Sequence, residues 1–183
     1  MANVALCVNP DLEYIKVSSM GYKFIVAKSL ANKVLGDDFE VLETYKGTDL
    51  VGTNYEQLMP FAEVEGKCFE VVADSYVTSE DGTGIVHIAP AYGDDDNRVC
   101  KENGIGFVNP VGKDGCYTTG PWKGTLVTDK DLEIEIIKWL KENDKLFKKI
   151  KLTHDYPHCW RCHSPLIYLS LIHISEPTRH SLI

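Results

Sequence analysis

A histidine and three carboxylates fall close together in the stretch Gly82-Thr83-Gly84-Ile85-Val86-His87-Ile88-Ala89-Pro90-Ala91-Tyr92-Gly93-Asp94-Asp95-Asp96. The glycines lead into a short apolar run that ends near His87. An Ala-Pro step stops the run, and Gly93 opens onto the acids. This pattern predicts a strand, a tight loop and an acidic helix start. His87 and Asp96 are nine positions apart, and the path between them can fold back so that both face one cleft. Acids in a first helical turn are favoured by the macrodipole, by about 0.3–1 kcal/mol each. The alternatives are a carboxylate holding a cation, such as a substrate ammonium, or a metal site with His87 as the one nearby nitrogen ligand. His87 is either a satisfied rim residue or an acid/base or hydrogen-bond donor partnered by Asp96. There is no Gly-x-Ser-x-Gly elbow and no phosphate-binding P-loop.

Six cysteines are present, and only Cys159 and Cys162 are spaced as a pair. Cys159-Trp160-Arg161-Cys162 makes half of a zinc knuckle, with His158 and His163 beside it and His154 near. A closed structural zinc site takes four ligands, so a second pair or a histidine must complete it. The alternative is two free thiols. Cys7, Cys68, Cys100 and Cys116 lie singly, where a buried reduced thiol is the default. No basic leader precedes the first apolar run, so the chain reads as cytoplasmic and free of structural disulfides.

These groups need elements to position them. Residues 4–8, 12–17, 22–27, 39–45, 68–73, 105–108 and 147–152 read as strands. Ser29 reads as the N-cap of a short helix ending at Gly36. Residues 46–55 read as a glycine-punctuated turn with a short strand. A helix is expected from near Asp94 to Asn103, with Gly104 as its stop. The clearest helix covers 129–144, with Leu132, Ile136, Ile137 and Leu140 on one face and Thr128 or Asp129 as cap. Many short strands and about three helices predict a mixed α and β fold, a β-barrel-like core with peripheral helices.

The 183 residues are 44% hydrophobic and 25% charged, enough to bury a core. No apolar run approaches the length of a membrane span. The net charge of −8 and pI near 5.2 exclude nucleic-acid binding by bulk electrostatics, and no DNA partner is expected. Residues 169–183 do not continue the segment before them. They are read as a non-native tail derived from a sequencing adapter, the alternative being a native C-terminal strand. Met1 is read as a start imposed on a longer protein.

Four blocks in order resemble the editing domain of isoleucyl-tRNA synthetases, which is inserted in the catalytic domain of those class I enzymes. They are Asn3-Val4-Ala5-Leu6-Cys7-Val8-Asn9-Pro10; Gly47-x-Asp49-Leu50-Val51-Gly52-x-x-Tyr55-Glu56-x-Leu58; the stretch from Gly82 through Pro90 with Gly93 to Asp96; and Tyr156-Pro157-His158-Cys159-Trp160-Arg161-Cys162-His163-Ser164-Pro165-Leu166-Ile167-Tyr168. The resemblance covers 2–168. It implies an editing domain over 2–153 and a return strand with half a zinc knuckle, Cys159 and Cys162, over 154–168. His87 and the closing segment are similar to the isoleucyl rather than the valyl or leucyl members.

By that resemblance, the activity is hydrolysis of valine mischarged onto isoleucine tRNA. One methylene separates the two amino acids and supplies only about 1–3 kcal/mol of discrimination, so a second sieve is needed. Asp96 is implied to hold the α-ammonium of the misacylated valine and His87 to line and polarise the pocket. Gly82, Thr83, Gly84, Ala89, Pro90 and Gly93 would form the substrate wall. Water is the nucleophile. The implied partners are isoleucine tRNA and the remainder of the synthetase. ATP and magnesium belong to the full-length enzyme, since this chain has no His-Ile-Gly-His or Lys-Met-Ser-Lys-Ser motif. The family's threonine-rich peptide would lie just before Asn3, so the editing pocket is expected to be incomplete. Rival readings are a free-standing tRNA-binding or zinc structural module, and a deacylase acting in trans.

Overall fold

The computed structural model describes residues 1–150, 157–163 and 165–167. Along the chain come β1 (Ala5–Val8), β2 (Glu13–Ser19), β3 (Tyr22–Ala27), a 3-10 turn (Lys28–Leu30) running into α1 (Ala31–Leu35), β4 (Glu40–Lys46), α2 (Gly47–Leu50), β5 (Glu70–Ala73), β6 (Ile85–Ile88), α3 (Asp94–Asn103) and α4 (Lys130–Glu142). Among the described residues the strands form two open three-stranded sheets, ordered β5-β1-β6 and β3-β2-β4. The expected mixed α and β architecture is present, and its barrel-like core takes the form of these two unclosed sheets.

β1 is a continuous apolar run because it is central and covered on both faces. It runs parallel to β5, with Ala5 opposite Glu70, and antiparallel to β6, with Ala5 opposite Ile88 and Leu6 opposite His87. Alternate residues feed two cores. Ala5 and Cys7 pack with Val72, Ile88, Val99 and Cys100, beneath α3. Val8 packs with Tyr14, Val17, Val26, Ala27 and Val71, against the second sheet. The layers are therefore α3, the β5-β1-β6 sheet, and the β3-β2-β4 sheet.

The second sheet is local. Met20 and Gly21 both have positive φ, +51° and +81°, which gives the two-residue turn whose twist suits a hairpin. β4 pairs with the other edge of β2, with a register shift at Lys16/Val17.

The two sheets are tied at the entrance to β6. The Tyr14 hydroxyl donates to the Gly84 carbonyl at 2.7 Å, and the Ala27 N–H donates to the Thr83 carbonyl at 2.9 Å. Gly84 is buried with φ +73°, and a Cβ there would fall 2.4 Å from the Ala27 Cβ.

Several local expectations change. Ser29 lies inside the 3-10 turn and caps nothing, although Gly36 does stop α1 with φ +80°. The turn expected over 46–55 contains α2, because the Asp49 carboxylate accepts from the Lys46 N–H at 2.8 Å and caps a helical turn. Its strand reduces to one bridge, Asn54 to Glu70. The strand expected over 105–108 is a single bridge from Ile105 to Lys67. There the apolar alternation marks burial of Ile105 and Val108 rather than a ladder. Residues 147–150 are irregular, with the Phe147 ring edge-on to Phe24 at 4.9 Å. The rest of that expected strand, the boundary at 153/154 and the tail 169–183 lie outside the described residues. α4 forms as expected, capped by the Asp129 side chain and anchored by buried Leu132. No helix among the described residues is long and apolar enough to cross a membrane.

Replacing Gly84 by Ala adds a clash and a strained φ, and should destabilise the chain by about 2–4 kcal/mol. Urea unfolding measures this, and Ala27→Gly in the same chain should recover part of the loss.

Candidate functional site

β6 delivers the histidine, and α3 delivers the carboxylate. His87 stands opposite Leu6 on the same sheet face, while its neighbour Ile88 is fully buried. The chain then turns: the Tyr92 N–H donates to the Ala89 carbonyl at 2.9 Å. The Asn97 side chain donates to the Pro90 carbonyl at 3.1 Å, which fixes the loop to the first turn of α3. The Ala89 N–H donates to Asp96 Oδ2 at 2.9 Å. Gly93 lets this happen at close quarters, since a Cβ there would lie 3.0 Å from the Asp96 carboxyl carbon.

His87, Asp96 and Ala89 line one cleft of about 780 Å³. The three consecutive acids have separate fates. Asp94 and Asp95 are exposed at the helix start, and Asp95 pairs with Arg98 at 3.4 Å. Only Asp96 turns into the cleft. Gly82, Thr83 and Gly84 lie at the opposite end of β6, where they join the sheets, and are not among the cleft-lining residues. Pro90 is buried beneath the loop, and Gly93 acts through its backbone.

Sequence reasoning did not single out the other cleft walls. Asn3, Tyr55 and Glu56 line it, as do Tyr92 and Tyr117. Asn3, Tyr55 and Glu56 sit inside the family-like blocks already noted and Tyr92 sits between two parts of one, so position in or beside a block was an available signal. Tyr117 follows a turn and carried none.

α3 is held by charge. Arg98 meets Asp74 at 2.8 Å and Glu102 at 3.2 Å. The Arg98 hydrogen bond holds the Asp74 carboxyl below its ordinary value, against the opposing effect of burial. Behind the cleft, burial pushes the Cys7 thiol to about 12 and Cys100 to about 11. Both stay protonated at neutral pH and are poor nucleophiles. Burial likewise raises Tyr92 to about 12, so its hydroxyl stays neutral and donates to Asn109 Oδ1 at 3.0 Å. The cleft thus carries one carboxylate, Asp96, one imidazole, His87, and neutral tyrosine hydroxyls.

Cys159 and Cys162 sit on a tight turn closed by a His163 N–H to Cys159 carbonyl bond of 2.9 Å, with His158 bridged to Pro165. Two thiols make half of a tetrahedral set. Among the described residues no group of three or more His, Cys, Asp or Glu side chains converges. The residues described therefore do not complete a zinc site, and His154 lies outside them.

No protein-family model matches the chain. It is 47% identical over 169 residues to the isoleucine–tRNA ligase of Clostridium novyi and 44% identical over 169 residues to that of Clostridium tetani, covering 91% of this chain and 16% of each relative. The isoleucine–tRNA ligase of Picrophilus torridus is 45% identical over 171 residues, 93% of this chain and again 16% of the relative. The chain thus spans about a sixth of the length of the curated relatives it matches. In fold it is similar to the crystal structure of GlLeuRS-CP1, with a TM-score of 0.58 at 14% identity, covering 82% of this chain and 80% of that one. Fold and sequence together define a segment of an aminoacyl-tRNA synthetase. Within that class the chain belongs to the isoleucine–tRNA ligase family.

Because Asp74 is depressed in the folded state, its pairing stabilises the chain above the ordinary carboxylate value of 3.8 and is lost as pH falls below it. Asp74→Asn should flatten stability across the range below about pH 4, leaving the remaining acid limb unchanged. Urea midpoints measured at a series of pH values check this.

Proposed function

We propose that this chain is the editing part of an isoleucine–tRNA ligase and hydrolyses valine esterified to isoleucine tRNA. The observation that carries the reading is the convergence of the Asp96 carboxylate and the His87 side chain on one cleft. The remaining oxygen of Asp96, beyond the one that accepts from Ala89, receives the α-ammonium of the valyl group as a charge-assisted bond. His87 contacts the substrate from the sheet side and polarises it. With the ammonium fixed, the ester carbonyl is held for attack. A water oxygen bonds to the carbonyl carbon, the ester C–O bond breaks, and the ribose oxygen leaves with a proton derived from that water. The products are free valine and uncharged tRNA.

The partners under this reading are isoleucine tRNA and the rest of the synthetase. With a net charge of −8, the chain relies on the rest of the enzyme for much of the grip on tRNA. ATP- and magnesium-dependent ligation belongs to the rest of the family's length. The Cys159–Cys162 turn is proposed as one half of a structural zinc site, and no step of the hydrolysis is routed through it.

Asp96→Asn keeps an acceptor for the Ala89 N–H and removes the charge. In an isoleucine–tRNA ligase carrying this segment, it should lower kcat/KM for valyl-tRNA deacylation about tenfold to a hundredfold, with isoleucylation unchanged. Equal deacylation by mutant and parent would sink the assignment.

A further inference from the structure

Asn3 lines the cleft just before β1, and its carboxamide is held at both ends. Nδ2 donates to the Ala5 carbonyl at 2.7 Å, and Oδ1 accepts from the Tyr55 hydroxyl at 2.5 Å. A carbonyl only accepts, so the contact with Ala5 fixes which end of the amide is nitrogen. The phenol then supplies the matching donor. A carboxamide has two N–H donors and two acceptor lone pairs. These contacts use one of each, and one N–H is left.

Tyr55 is itself fixed. Its N–H donates to the Phe69 carbonyl at 2.9 Å, and its ring meets Phe69 edge-on at 5.9 Å. The Phe69 N–H in turn donates to the Val4 carbonyl at 2.6 Å. Phe69 carries a positive φ, +56°, outside any turn glycine. The chain accepts that conformation where it seats Tyr55 beside Asn3. Burial raises the Tyr55 phenol above its ordinary value, which keeps it a neutral donor.

We propose that Tyr55 is a positioning residue for deacylation: it holds the Asn3 amide so that the remaining N–H meets the ester carbonyl of the aminoacyl group bound at Asp96. This rests on the hydrolytic reading above. A fixed donor aimed at that oxygen gains strength as negative charge develops on it during attack. Its loss therefore falls on kcat rather than KM.

The test is a double-mutant cycle in an isoleucine–tRNA ligase carrying this segment, with Tyr55→Phe, Asn3→Ala and both together, read by deacylation of valyl-tRNA. Tyr55→Phe removes one hydroxyl and keeps the ring on Phe69. It should lower kcat about fivefold to tenfold at unchanged KM, and it should have no further effect in the Asn3→Ala background. Losses that multiply in the double mutant, or a loss confined to KM, would overturn the proposal. An unmutated enzyme without deacylase activity would count against the hydrolytic reading itself. The cycle is then run on the Kd of an aminophosphonate analogue of the valyl ester, whose anionic oxygens imitate the tetrahedral intermediate. Coupling of about fivefold between the two positions supports the pair. Independent effects, or no binding by the unmutated enzyme, overturn it.

Discussion

The hydrogen bond from the Ala89 N–H to Asp96 is the contact on which the cleft depends. It joins the end of a strand to the first turn of a helix and so sets the distance between the histidine and the carboxylate. The bond also selects among three acids. Asp94 and Asp95 stay in solvent and favour the helix start electrostatically, whereas Asp96 is pinned where it can do more. One oxygen of that carboxylate satisfies a backbone donor, and the residue still lines the cleft.

Around that contact the fold supplies rigidity in graded form. β1 is paired on both edges, which places Leu6 and His87 without freedom to slip, because a one-residue shift would turn His87 to the other face. α3 is clamped through Arg98 to Asp74, which directly follows β5. The helix and both neighbours of β1 are thus locked to one another. The cleft walls outside this frame come from loops, and there hydrogen bonds such as Tyr55 to Asn3 do the work that ladders do elsewhere.

Much of this was legible in the sequence, and the reasons differ by element. The strand, loop and acidic helix from Ile85 to Asn103 announced themselves through an apolar run, an Ala-Pro step and a glycine before the acids. Asp129 and Gly104 marked helix ends by their known chemistry. The roles of Gly82 to Gly84 were not legible, because the tie to Ala27 and Tyr14 depends on which sheet packs where. Ile105 and Val108 looked like strand because burial and β-pairing leave the same apolar trace. α2 was hidden by its glycine, whose meaning depends on the Asn9 carbonyl lying 1.9 Å from where a Cβ would sit. The convergence of Asn3, Tyr55 and Tyr117 on His87 needs a topology, and no local pattern encodes one.

The two sheets also differ in when they can exist. Every strand of the β3-β2-β4 sheet is complete once the chain has reached Lys46. β1 is made before them all, yet its partners begin at Glu70 and Ile85. During synthesis the first strand must therefore wait, its backbone edges unpaired and its apolar faces uncovered, while the later hairpin sheet forms ahead of it. Tyr14 and Ala27 already stand in that early sheet, so the loop carrying Gly84 arrives at a surface prepared to receive it. Only the first strand is out of step with its own synthesis, and the last strand made, β6, is the one that closes its second edge and brings the histidine.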